Sequence, residues 1–193
     1  MTTFELFLET GFTHILDIQG YDHILFVAVL CAAYSPDSWR KIFWLITSFT
    51  VGHSITLFLA ANDLIDVNGK ITELMIAVTI MMAAISNLVT QPEDFLSPKR
   101  FSWGYLFAGF AGLIHGLGFS GYLKALIGGE ESIVTPLFAF NVGLELGQII
   151  IVLVYMLISF IAISILGIRY KSWRFFLSSA IVGVSLTLIL DRI

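Results

Sequence analysis

Five stretches of this chain, at about 39–61, 70–91, 101–127, 133–166 and 173–191, are mostly apolar for 19 residues or more. A bilayer core about 30 Å thick needs about 20 mostly apolar residues to cross it as a helix. A helix also satisfies all its backbone groups internally, which lipid cannot do for it. These runs therefore predict membrane-spanning helices. A sixth stretch, 21–35, is shorter. At 1.5 Å per residue it reaches only about 22 Å, so it is expected to start below the outer surface. Of the 193 residues 58% are hydrophobic and 12% charged, against roughly 25% charged in soluble domains. The expected fold is an all-α polytopic membrane protein of one domain (1–193), with six transmembrane helices.

The first segment, 1–19, reads as a short amphipathic helix packed at the outer face. Phe4, Phe7, Leu8, Phe12 and Ile15 recur at helical spacing, with Glu5, Glu9 and Thr13 off that stripe. Thr2 and Glu5 match a capping box. Such a helix either lies in the membrane interface or packs on the bundle. Glu5 and Glu9 stand where a secretory signal has basic residues, so no cleaved leader is expected.

Six spans place Arg40, Lys41, Lys99, Arg100, Arg169, Lys171 and Arg174 on one side, and Lys70, Lys124 and Arg192 on the other. The richer side is expected to face the cytoplasm. That leaves both termini extracytoplasmic, in a multi-pass protein of the cell (inner) membrane. Net charge is −4 with no basic run, so no nucleic-acid partner is expected. The string GLGFSG (116–121) matches a dinucleotide fingerprint, but it follows no strand. Gly112 and Gly116 read instead as a small-residue helix contact. With no phosphate-loop lysine motif either, no nucleotide is expected. The expected partners are the lipid bilayer and a metal ion, with a homo-oligomer left open. The one cysteine, Cys31, excludes an internal disulfide and a multi-cysteine cluster.

Ionisable residues within apolar spans are costly and signal function. Asp22 and His23 open the first span, close behind His14, and could simply cap it. In the second span Thr50, His53 and Ser54 share a face; in the third Glu73, Ala77, Ile80, Ala84 and Asn87 do. His115 lies midway along the fourth span among glycines. Asn141, Glu145 and Gln148 form a polar stripe on the fifth. His53 is fourteen residues past Trp39 and His115 fourteen past Phe101, which puts both about 21 Å from the inner face. Asp22, His23 and Glu73 start spans on the outer side and fall in the same outer half. Imidazole and carboxylate donors suit a divalent ion such as Ni, Co, Zn or Fe, held as substrate or as bound ion. The expected metal-ligating set is His14, Asp22, His23, His53, Glu73, His115, Asn141 and Glu145. In it Asp22, His23 and His14 form an outer receiving site. His53, His115 and Glu145 form a central one, and Asn141 and Glu73 supply oxygens. The same residues could also relay protons.

The strings HILDIQGYDHILFV (14–27), FTVGHSITL (49–57), ELMIAVTI (73–80) with Asn87, GLIHGLGFS (112–120) and FNVGLELGQ (140–148) resemble the HupE/UreJ family of hydrogenase and urease accessory membrane proteins. The resemblance implies nickel supply by a secondary permease. It also implies that Asp22, His23, His53, Glu73, His115, Asn141 and Glu145 belong to its polar core. Two other functions fit the residues. An intramembrane zinc hydrolase would use the histidines to activate water, with Ser54 beside His53. A non-catalytic assembly factor would use a lipid-facing groove.

Overall fold

The computed structural model describes residues 1–35, 38–65, 68–90, 101–128 and 132–193, with Phe101 and Ser102 described by backbone alone. Lys99 and Arg100, which entered the charge count above, lie outside the described residues. The described residues are helical, with no strand among them. In chain order the helices are α1 (Thr3–Ile15), α2 (Asp22–Ala32), α3 (Trp39–Ala61), α4 (Gly69–Val89), α5 (Phe101–Ile127), α6 (Val134–Phe160) and α7 (Tyr170–Arg192). A π turn, Ile161–Ile165, prolongs α6. Helices α3 to α7 are long and apolar enough to cross a membrane; α2, with 11 residues, is not.

Helix α1 starts at the expected capping box. The Thr2 hydroxyl accepts from the Glu5 amide at 3.2 Å, and the Thr2 amide donates to Glu5 Oε2 at 2.9 Å. Its buried face is Phe7, Gly11 and Ile15, while Phe4 is exposed. The expected stripe holds at Phe7 and Ile15, with Leu8 and Phe12 half-buried, and Gly11 joins it because this face meets backbone. A methyl group on Gly11 would collide with the Phe140 carbonyl, and one on Gly143 with the Leu8 carbonyl. One on Gly147 would meet Ile15 and approach the Phe12 carbonyl. Of the two expected placements, α1 therefore takes the one on the bundle, running parallel to α6.

A second parallel pair, α3 and α5, locks the same way. The Ser48 hydroxyl donates to the Tyr105 carbonyl and Thr56 to the Leu113 carbonyl, each at 2.8 Å and each 57 residues apart. Added methyl groups at Gly52 and Gly112 would strike the Gly109 and Phe49 carbonyls. Small residues let the backbones approach closely enough for dispersion to hold them without a hydrophobic driving force.

The remaining contacts fix direction. Thr47 meets Glu145 and Ser54 meets Asn141, so α6 opposes α3. Thr79 meets His115, and Gly118 lies near Ile76, so α4 opposes α5. Arg174 bonds Thr90 at one end of α7, and Arg192 bonds Glu73 at the other. Tyr170 and Arg192, at the two ends of α7, also reach α2, at Ala32 and Asp22 respectively. The 23 residues of α7 span about 34 Å and the 11 of α2 only about 16 Å. The two long side chains close that difference from either end. Helices α1, α2, α4 and α6 thus run one way, and α3, α5 and α7 the other. Both termini lie on one face of the bundle, here the terminal face. The consecutive helices α1 and α2 run in the same direction, so one descent is interrupted at 16–21.

Overpacking a close backbone contact costs about 1–3 kcal/mol. Gly112→Val should therefore lower the melting temperature in detergent, read by fluorescence-detected size exclusion. Gly121→Ala, where an added methyl meets nothing within 4 Å, should leave it unchanged or raise it.

Candidate metal centre

The sequence contains four histidines, and the fold brings all four together. His14 ends α1 and His23 begins α2, so the interruption between these helices delivers two imidazoles to one place. His53 comes from α3. His115 comes from α5, where Gly116 allows the helix to sit against the His53 carbonyl. Ring centroids are 4.7 Å apart for His14 and His23, and 5.1 Å for His23 and His115. His53 lies 6.0 Å from both His14 and His23.

Three of these, His14, His23 and His53, each offer a ring nitrogen within 4.8 Å of the other two. A divalent ion bound at about 2.0–2.1 Å to each nitrogen sets them roughly 3.3 Å apart in a tetrahedral site. Side-chain rotation of at most about 1.5 Å closes that gap. Each of these rings also has a buried nitrogen without other work. His14 Nε2, His23 Nε2 and both nitrogens of His53 are buried with no hydrogen-bond partner among the described residues. An unmade hydrogen bond on a buried polar atom costs about 1–3 kcal/mol, and here the cost recurs at one point. Bound metal would remove it. The walls are aromatic: Phe119 lies 3.9 Å from His14, Phe140 stacks 6.1 Å from His53, and Phe49 is 5.2 Å from His115. Cys31 is buried and free, and the donor set is nitrogen without thiolate, which suits Ni²⁺, Co²⁺ or Zn²⁺.

His115 stands at the edge of this triad. Its Nε2 lies 3.3 Å from the Thr79 hydroxyl, while Nδ1 is unpartnered among the described residues. The other expected residues fall into two separate groups. Asp22 pairs with Arg192 at 2.9 Å. It does not cap α2, whose N-cap Tyr21 makes no side-chain bond. Glu73 is 58% exposed on α4 and lies 3.9 Å from the same guanidinium. The polar stripe of α6 faces α3 as a seam. Ser54 donates to Asn141 Oδ1 at 2.6 Å, Thr50 to Gln148 Oε1 at 2.9 Å, and Thr47 to Glu145 Oε1 at 2.7 Å. Arg192, Thr79 and Thr47 escaped the sequence reading. A terminal arginine resembles an orientation signal, and threonines in spans are common helix residues that bond their own backbone.

The family described as HupE / UreJ protein matches residues 1–191. The chain belongs to the HupE/UreJ family. No curated protein and no solved structure matches it. The HupE/UreJ family is associated with nickel and cobalt transport or accessory function. The strings that carried the resemblance contribute distinct parts of the bundle. Residues 14–27 form the interruption with its two histidines, 49–57 and 112–120 the Gly-locked pair with His53 and His115, and 140–148 the seam.

Thr47→Val should strand the Glu145 carboxylate inside this HupE/UreJ bundle. The expected cost is about 1–3 kcal/mol, seen as earlier thermal unfolding, with Thr47→Ser recovering most of it. Equal stability of Thr47→Val and the parent would show that the seam is not structural.

Proposed function

We propose that this chain is a secondary permease for a divalent first-row transition ion, with nickel and cobalt first among the candidates. The ion would bind to His14, His23 and His53 within the bundle, with His115 alongside. The observation that carries this reading is that His14, His23 and His53, from three helices, each offer a ring nitrogen within 4.8 Å of the other two, while each ring also has a buried nitrogen with no hydrogen-bond partner among the described residues. An interrupted pair of co-directional helices at the same point strengthens it, since membrane transporters place ion sites at helix breaks.

In this reading the terminal face looks out of the cell, as the basic-residue count suggests, and the protein resides in the cytoplasmic membrane. An ion reaching the histidines would then have the cytoplasmic half still to cross. A cavity of about 550 Å³ lies on that side, lined by Val29, Tyr34, Asn87, Gly104 and Phe107 among others. Phe26 separates it from the histidines, with its ring 5.1 Å from His115 and 6.4 Å from Phe107. Movement of Phe26 and Phe49, themselves 5.1 Å apart, would join the two spaces. The hydrolase reading finds less support, because the Ser54 hydroxyl is engaged with Asn141 and the Thr50 carbonyl. An accessory role without transport would use the same centre, and uptake separates the two.

Purified protein in nanodiscs should bind Ni²⁺ with nitrogen-dominated coordination by X-ray absorption. Individual alanine substitution of His14, His23 or His53 should weaken binding by about 100-fold or more, beyond the 10–100-fold typical for partners that only orient ligands. His115→Ala should cost less. Cells expressing the parent should accumulate more ⁶³Ni than cells expressing His53→Ala. Full binding and uptake by all three triad variants would remove the proposal.

A further inference from the structure

Three neutral imidazoles hold a divalent ion without cancelling its charge. In lipid an uncompensated charge is strongly disfavoured, so an anion must share the work. The nearest acid in sequence is Asp22, directly before His23 in the first turn of α2. Its carboxylate is mostly buried, with 15% of the side chain exposed, and it is already neutralised by Arg192, whose side chain is 19% exposed. The guanidinium has a second anion within reach. Its Nη1 donates to the Glu73 carbonyl at 2.9 Å, and its Nε lies 3.9 Å from Glu73 Oε2, beyond hydrogen-bond range.

We propose that Arg192 is a built-in stand-in cation, which occupies Asp22 while the histidines are empty and pivots to Glu73 when a divalent ion arrives. This rests on the metal-binding reading above. Charge counting supports it. Asp22, Glu73 and Arg192 sum to −1, and a bound ion raises the sum to +1. With Arg192 seated on exposed Glu73, where water screens the pair, Asp22 is left to offset the ion. A purely structural clamp would have no need of a second, solvent-facing carboxylate in contact with the same guanidinium. The pivot also gives exposed Glu73 a role. It makes Asp22 selective as well, because only an ion held tightly by the imidazoles outcompetes a tethered guanidinium.

The two roles predict opposite signs. If Arg192 is a competitor, Arg192→Gln tightens Ni²⁺ binding by about tenfold, within the ordinary range for coupled sites. If it is only a clamp, the same change loosens α2 and weakens binding. Glu73→Gln should weaken binding in the parent and have no effect in the Arg192→Gln background, a coupling that a double-mutant cycle isolates. The measurement is Ni²⁺ equilibrium binding to the full chain in nanodiscs, with His53→Ala as control. Mass-spectrometric detection of phenylglyoxal labelling at Arg192 in the parent protein supplies a readout that needs no variant, and Ni²⁺ should increase it. Unchanged or reduced labelling, or equal or weaker binding by Arg192→Gln while His53→Ala loses binding, overturns the role of Arg192 alone. Ni²⁺ binding to the parent no better than to His53→Ala overturns the histidine centre and this inference with it.

Discussion

Lipid offers a polar atom nothing to bond with, so every polar side chain inside this bundle must find its partner on its own helix or a neighbouring one, or go without. Most find one. Asn87 Nδ2 takes the Val29 carbonyl at 2.8 Å, Tyr170 the Ala32 carbonyl, and the amide and carboxylate oxygens of α6 are met by α3 hydroxyls. Against that background, among the described residues, the unpartnered imidazole nitrogens stand out as a place where several costs gather. The same stringency that makes the seam a structural glue makes the histidines a site.

Two devices make this arrangement possible. Glycine at helix contacts allows parallel neighbours to approach to backbone distance, which sets Gly116, next to His115, against the His53 carbonyl. The interruption at 16–21 lets two short helices share one descent and present their facing ends, with His14 on one and His23 on the other. An unbroken helix would have buried the stretch between them against neighbours and separated the rings by the rise of nine residues, about 13 Å.

Much of this was legible in the sequence. Apolar runs located the five long helices to within about three residues, and the shortness of 21–35 foretold a partial span. Equal counts from Trp39 to His53 and from Phe101 to His115 rested on both helices running the same way, and they do. The order of helices around the bundle was not legible, since nothing in residue spacing says that α3 packs on α5 with an offset of 57. For that reason Glu145 looked like a partner of His53, whereas it bonds Thr47. Likewise His14 and His23 looked like a site of their own, whereas they join His53. The direction of α1 was illegible too: an amphipathic stripe says which face is covered but not by what.

The Gly-locked contacts make two stiff blocks within the molecule, α1 with α6 and α3 with α5. His14 rides on the first, His53 and His115 on the second, and His23 on the short helix between them. A shear of one block past the other therefore cannot occur without changing the bite of the donor cage. On the proposed metal-binding reading, ion grip and helix slippage are two readings of the same coordinate, so whatever shears the two blocks also tunes how firmly the ion is held.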